Sequence, residues 1–179
     1  MGFAGVQDLD RSRSSAGSQT TATISFWFKR AKLGAYQYLL DAYTDGNNAV
    51  RVTILSDDTI EFRGETGGAV KFELETTRVF RDPAAWYHFV GIIDMTNGTQ
   101  ANRAQLYING ERQTVLDTAT YPADASQTMH LCAANTIRYG DNSTNDYLYY
   151  GYLAEIVVID GTAQAVSDFG ETKNGVWIP

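Results

Sequence analysis

The sequence predicts an all-β fold, a two-sheet antiparallel β-sandwich. Three observations carry that prediction. Apolar and polar residues alternate with period two along most of the chain, and clusters of Gly, Asn, Asp and Ser separate the runs. No stretch has the apolar spacing of an amphipathic helix, and no long internal repeat is present. The stretch that organises the rest is Trp86–Val115. There Trp86–Asp94 is almost wholly apolar, Ala104–Asn109 alternates, and Glu111–Val115 follows an Asn109-Gly110 pair. Asn-Gly between two extended runs marks a hairpin, because both central residues of a type I′ turn need positive φ.

Taken in order, residues 1–20 are small and polar and predict an N-terminal arm, with a short edge strand near Val6–Leu9. Residues 21–179 form the sandwich domain. Thr21–Arg30 is a central strand in which Ile24, Phe26 and Phe28 face one way and Ser25, Trp27 and Lys29 the other. Tyr36–Tyr43 is a second strand, closed by the turn Asp45-Gly46-Asn47-Asn48. Ala49–Leu55 and Thr59–Arg63 make a hairpin about Ser56-Asp57-Asp58, and Ala69–Thr76 follows the Gly64–Gly68 turn. These strands have one dry and one wet face, as an antiparallel sheet covered on one side requires. Val79–Pro83 bridges to the central stretch, where Pro83 ends any pairing.

Beyond the hairpin, Asp117–His130 is expected to be a long polar connection. Leu131–Tyr139 holds one more strand, and Gly140–Asp146 is a loop of turn residues. Tyr147–Asp160 is the longest extended run, with Tyr152, Ala154, Ile156 and Val158 opposing Leu153, Glu155, Val157 and Ile159. Ala163–Gly170 has room for one helical turn.

Composition bounds the function. A chain of 179 residues can bury a full core without staples. The formal charge of −7 argues against nucleic acid as partner. Cys132 is the single cysteine, which excludes an intrachain disulfide, and its apolar neighbours make it a buried small hydrophobe. No apolar run is long enough to span a bilayer, and the N-terminus lacks the basic-then-apolar order of a signal peptide, so folding in a cytoplasm is expected.

The order strand, WYHFVGIID, LYING, GYLAEIVVIDG and short helix resembles the laminin-G-like, concanavalin A-type jelly roll of lectins and glucanases. Trp86, His88, Val90 and Asp94 match that family's core strand, and Leu106–Gly110 its hairpin. More narrowly, SSAG at Ser14–Gly17, ISFWFKRAKLG at Ile24–Gly34, VFRDPAAWYH at Val79–His88 and SDFGETKNGVWIP at Ser167–Pro179 are similar to a subgroup found in virion proteins of aquatic phages. The resemblance implies a non-enzymatic virion structural protein, a capsid decoration or head-fibre subunit. It would be made in the host cytoplasm, form a homo-oligomer (a trimer suits a capsid lattice), and have a major capsid or other virion protein as partner. The alternative is a carbohydrate-binding module of a tail or head fibre, with host-surface glycans as ligand.

Candidate chemistry is sparse. Some jelly-roll relatives are endoglucanases with an E-x-D-x-x-E strand; here the nearest stretch, Glu155–Asp160, has Val157 in the middle position, so no catalytic residue is assigned. His88 is expected to be a satisfied core histidine and His130 a solvated one. The resemblance implies calcium as the one candidate cofactor. Asp45, Asn47 and Asn48 in one loop, and Asp141, Asn142, Asn145 and Asp146 in another, have oxygen ligands of the right kind, although turns select the same residues. For a glycan, Tyr147, Tyr149, Tyr150 and Tyr152 with Asn142 and Asn145 are the aromatic and polar cluster, and cross-strand aromatic packing would use the same tyrosines.

Overall fold

A computed structural model describes residues 9–123, 127–144 and 146–179. Val6–Asp8 and Asn145 therefore lie outside the described residues. The chain forms two large antiparallel sheets. The first strand is β1 (Leu9–Ser12), and the expected first central strand is β2 (Thr21–Arg30). There follow β3 (Gln37–Asp45), β4 (Asn48–Ile54), β5 (Ile60–Thr66) and β6 (Ala69–Thr76). The Trp86–Val115 stretch yields β7 (Tyr87–Asp94), β8 (Ala104–Ile108) and β9 (Glu111–Arg112). The rest is β10 (Leu116–Thr120), β11 (Thr136–Tyr139), β12 (Gly151–Asp160) and a hairpin of β13 (Glu171–Lys173) and β14 (Val176–Ile178). One sheet runs β1-β11-β3-β4-β5-β6-β10 and the other β12-β2-β7-β8-β9.

The core fills the space between them. Ile24, Phe26 and Phe28 from β2, and Phe89 and Ile93 from β7, meet Leu40, Val50, Val52, Ile60, Phe62 and Phe72 of the facing sheet. Phe26 stacks on Phe89 at 5.0 Å, and Phe62 meets Phe89 edge-on at 5.7 Å. Gly91 leaves room for the facing sheet: a Cβ there would lie 2.9 Å from the Phe62 ring. One charged pair is enclosed with the core. Arg30, fully shielded, contacts the Asp58 carboxylate at 2.9 Å and donates to the Phe80 carbonyl, and Arg81 takes the other Asp58 oxygen at 2.8 Å.

Two sequence expectations need correction. Leu116–Thr120, which overlaps the start of the expected Asp117–His130 connection, is a strand on β6, and its short polar side chains suit an exposed edge. The Tyr147–Asp160 run becomes a strand only from Gly151. Its alternation is broken between Ala154 and Val157 by a bulge with Glu155 at φ 51°, which turns Leu153, Ile156 and Val158 together toward the core. The helical turn expected within Ala163–Gly170 is present, as a 3-10 turn at Val166–Asp168. The last residues pair as a hairpin about Asn174-Gly175, both at positive φ.

Candidate functional site

Among the described residues, the sequence-predicted binding residues do not form one site. Tyr149 turns inward against the core, and its hydroxyl donates to the Lys29 carbonyl at 2.7 Å. Tyr150 is exposed, with the Lys32 ammonium 4.7 Å from its ring centre. Asn142 is buried and spent on its own turn: its amide nitrogen donates to Thr144 and its amide oxygen accepts the Asp146 N–H. Tyr147 alone joins a new group. It packs edge-on against Tyr36 at 5.2 Å and lies 6.1 Å from Tyr38, which itself meets Tyr36 at 5.6 Å.

This tyrosine trio stands on the outer face of the seven-stranded sheet because Tyr38 pairs across the ladder with Thr53, whose neighbours Val52 and Ile54 point into the core. Tyr36 and Tyr38 are two residues apart, a spacing that puts both on one face and is visible in the sequence. Beside them runs a row of alternating charge. Arg51 reaches Asp41 at 3.3 Å and Glu65 at 2.6 Å, and Arg63 holds the other Glu65 oxygen. Burial pushes the Asp41 carboxyl up, against the pull of Arg51. Glu61, on the same face, accepts from Thr53 at 3.1 Å; burial, and then Glu73 beside it, push its carboxyl well above the ordinary range.

The calcium candidates lie at opposite ends of β3. Asp45 closes the β3–β4 turn, where its carboxylate accepts from the Asn47 N–H and the Asn48 amide, contacts that hold it ionised below its usual range. Asp141 follows β11, whose end pairs with Leu40, and it accepts the Asn142 N–H at 2.7 Å; Asp146 lies farther along the same loop. Among the described residues, no group of three or more His, Cys, Asp or Glu is placed to hold a metal ion. The two candidate loops are separate in the fold and do not make one donor set.

The outer face of the five-stranded sheet carries the other polar constellation. Ser25 and His88 are neighbours across β2 and β7, with Oγ and Nε2 2.8 Å apart. A serine bonded to a histidine invites comparison with a nucleophile and its base. The Trp177 indole N–H donates to His88 Nδ1 at 2.9 Å, however, and an indole nitrogen can only donate. Nδ1 is thus the acceptor, and Nε2 carries the proton and gives it to Ser25. In that tautomer the imidazole cannot take the serine proton, and burial lowers its pKa to about 4. Trp27 stacks on one side of the ring at 4.8 Å and Trp177 lies at 6.0 Å, so His88 fastens the C-terminal hairpin to the sheet. His130, expected to be solvated, is half-buried with both ring nitrogens shielded from solvent.

The profile of the Concanavalin A-like lectin/glucanases superfamily matches residues 6–165. The chain belongs to that superfamily. Solved structures agree on the fold. The sialidase CBM40 of Ruminococcus gnavus, with which the chain shares 18% identity, is covered over 95% of its length by 89% of this chain, with a TM-score of 0.58. Laminin α1 domains LG4-5 from mouse give a TM-score of 0.59 at 12% identity over 91% of this chain and 44% of that fragment. A heptameric SAP-like pentraxin from Limulus polyphemus gives 0.55 at 16% identity, over 87% of this chain and 73% of its own. Comparison with curated protein sequences yields no match. Within the superfamily fold, the acids of β12 stay apart. Glu155 sits in the bulge under the C-terminal hairpin, whereas Asp160 is engaged by Arg13 and by the Ser18 N–H at 2.7 Å. Glu155 and Asp160 therefore do not share a groove; Glu155 instead lines one with Asp168 and Glu171.

Proposed function

We propose that this superfamily member is a non-enzymatic binding module whose ligand is a glycan, held on the outer face of the seven-stranded sheet. The observation that carries this reading is the Tyr36–Tyr38–Tyr147 platform beside the Asp41–Arg51–Glu65–Arg63 row. Sugars offer an apolar face to aromatic rings and hydroxyls to planar charged groups, and the two lie side by side here. The likeness to a module solved with α2,3-sialyllactose supports the ligand class. A glycan array followed by titration tests it. We expect retention of at least one oligosaccharide and a loss of at least about tenfold in affinity for Tyr147→Ala. Tyr147 is 46% exposed, so its truncation spares the core. Retention of no glycan, or binding indifferent to Tyr147→Ala, overturns the reading.

A second reading concerns where the module works. The motifs shared with phage virion proteins, from SSAG to SDFGETKNGVWIP, favour a capsid decoration or head-fibre subunit, assembled as a trimer on a major capsid protein. It is compatible with the first, since a displayed sandwich can hold both a shell and a sugar. Purified protein added to shells stripped of it is expected to cosediment with them; failure to do so removes the virion role.

A further inference from the structure

Four polar side chains from separate places in the sequence line one cleft of about 430 Å³ between the β8–β9 turn and the C-terminal hairpin. Arg78 follows β6, Asn109 occupies the turn, Glu111 opens β9 and Thr172 lies in β13. Trp86 and Trp177 supply the aromatic surface. Arg78, Glu111 and Thr172 are exposed, and so is Trp86, so these groups are open to a ligand. Among the described residues, the Arg78 guanidinium, the Glu111 carboxylate and the Thr172 hydroxyl have no hydrogen-bond partner. The Asn109 side-chain oxygen accepts the His88 N–H at 2.8 Å, which leaves its amide N–H groups to donate elsewhere. The guanidinium is the telling member. Arg51 is closed on Asp41 and Glu65, and Arg103 on the carbonyls of Asn97, Pro122 and Ala123. Arg78 instead lies over two buried rings, 5.4 Å from the centre of Phe80 and 5.9 Å from that of Tyr87. Stacking holds the planar fork in place, so less freedom is lost when an acceptor arrives. Glu111 shares the cleft, yet the two charges form no ion pair.

We infer that this cleft is a second ligand site, for a neutral pyranose, separate from the tyrosine face and resting on the same reading of the protein as a glycan-binding module. A sugar hydroxyl both donates and accepts, so the hydroxyls of one ring can accept from Arg78 and donate to Glu111. Asn109 and Thr172 are neutral partners for the remaining hydroxyls, and the exposed Trp86 ring offers an apolar surface to the C–H face of the sugar. The volume falls within the range of about 300–1,000 Å³ usual for small-molecule clefts. A carboxylated sugar would suit Arg78 and be repelled by Glu111, and an amino sugar would do the reverse. A zwitterion would satisfy both charges but leave the Asn109 amide and the Thr172 hydroxyl unmet.

The test titrates a panel of neutral methyl pyranosides, a methyl glucuronoside, a methyl glucosaminide and phenylalanine against the whole protein, by calorimetry and by the indole N–H resonance of Trp86. At least one neutral pyranoside is expected to bind and to shift that resonance. Arg78→Gln should weaken its binding about tenfold, and Trp86→Ala should weaken it too; both positions are exposed, so the variants stay folded. Glu111→Gln should admit the glucuronoside, which the parent protein rejects. Tyr147→Ala should leave binding at the cleft unchanged. The cleft is not a neutral-sugar site if no pyranoside binds there, if the three charged probes bind as well, or if Arg78→Gln and Trp86→Ala make no difference. Glycan binding that Tyr147→Ala abolishes and the cleft variants leave intact would sink this inference alone. Binding that depends on Arg78 and Trp86 and ignores Tyr147 would sink the tyrosine-face site while the module reading stands.

Discussion

Glu61 is 7% exposed although it projects from the outer face of a sheet, and its carboxyl is pushed up by burial and then by Glu73. A carboxyl whose folded pKa is raised binds its proton more tightly in the native state, so the folded protein loses stability as pH rises from the unfolded value through the folded one. Glu61→Gln keeps the acceptor for Thr53 and removes the ionisation. Its melting temperature should exceed that of the parent protein at pH 8, by on the order of 2 kcal/mol of stability, and match it near pH 4. Equal stability at both pH values would show that Glu61 ionises at no cost. His88 has the opposite sign. Its pKa is lowered to about 4, so stability should fall as pH drops from about 6.5 toward 4, the window in which the unfolded histidine takes up a proton and the folded one does not. Protonation would set an N–H of His88 against the Trp177 N–H, and urea melts across this window should show the loss. Asp58 was legible only as a turn residue of Ser56-Asp57-Asp58; nothing local in the sequence ties it to Arg30. Asp58→Ala strands the fully shielded Arg30 guanidinium, and a loss of about 3–5 kcal/mol in chemical denaturation is expected.

Among elements, the legible ones carry their own signal. Thr21–Arg30 and Ala69–Thr76 agree end for end with the sequence reading, because large apolar residues recur at every second position and turn residues bound them. β10 was hidden because Leu116–Thr120 has one large apolar residue and buries none of its five. The C-terminal hairpin had the same Asn-Gly signal as Asn109-Gly110, but its three-residue arms are too short to show a period. The bulge at Glu155 is the most instructive miss: a regular strand was assumed, and one residue at positive φ reassigns the faces of Leu153, Ile156 and Val158. For the same reason neither ring cluster was legible. Tyr147 meets Tyr36, and Trp27 meets Trp177, through the closure of the sandwich and not through spacing along the chain. The two hairpins touch at Gly110, which has φ +78° and would place a Cβ 2.5 Å from the Trp177 ring. Gly110→Ala therefore strains the turn and pushes Trp177 off His88. A loss of about 1–3 kcal/mol is expected, together with a shift of the Trp177 indole N–H resonance. A variant in which that resonance stays put would mean the C-terminal hairpin does not depend on this contact.

At the scale of the whole molecule, the two sheets differ in what their margins expose. Among the described residues β12 is an edge strand of ten residues. It carries Tyr152 at 64% and Val157 at 40% exposure, and its only described ladder is with β2. Long apolar edges template further pairing unless something blunts them, and the bulge between Ala154 and Val157 interrupts this edge and sets the exposed Glu155 in it. The proposed trimer would bury such an edge through a heterologous contact, in which β12 of one copy meets a different surface of the next and the ring closes after three. The net charge of −7 opposes indiscriminate stacking. Val157→Lys places a charge in the middle of the edge, pairs across the ladder with Ser25 on the outer face, and touches none of the core. Light scattering should then report a trimer for the parent protein and a monomer for the variant, with glycan binding at the Tyr147 face unchanged. A parent protein that is monomeric at high concentration would remove both the trimer and the role of β12 in it, since an edge that pairs with nothing in solution is guarded by its own bulge.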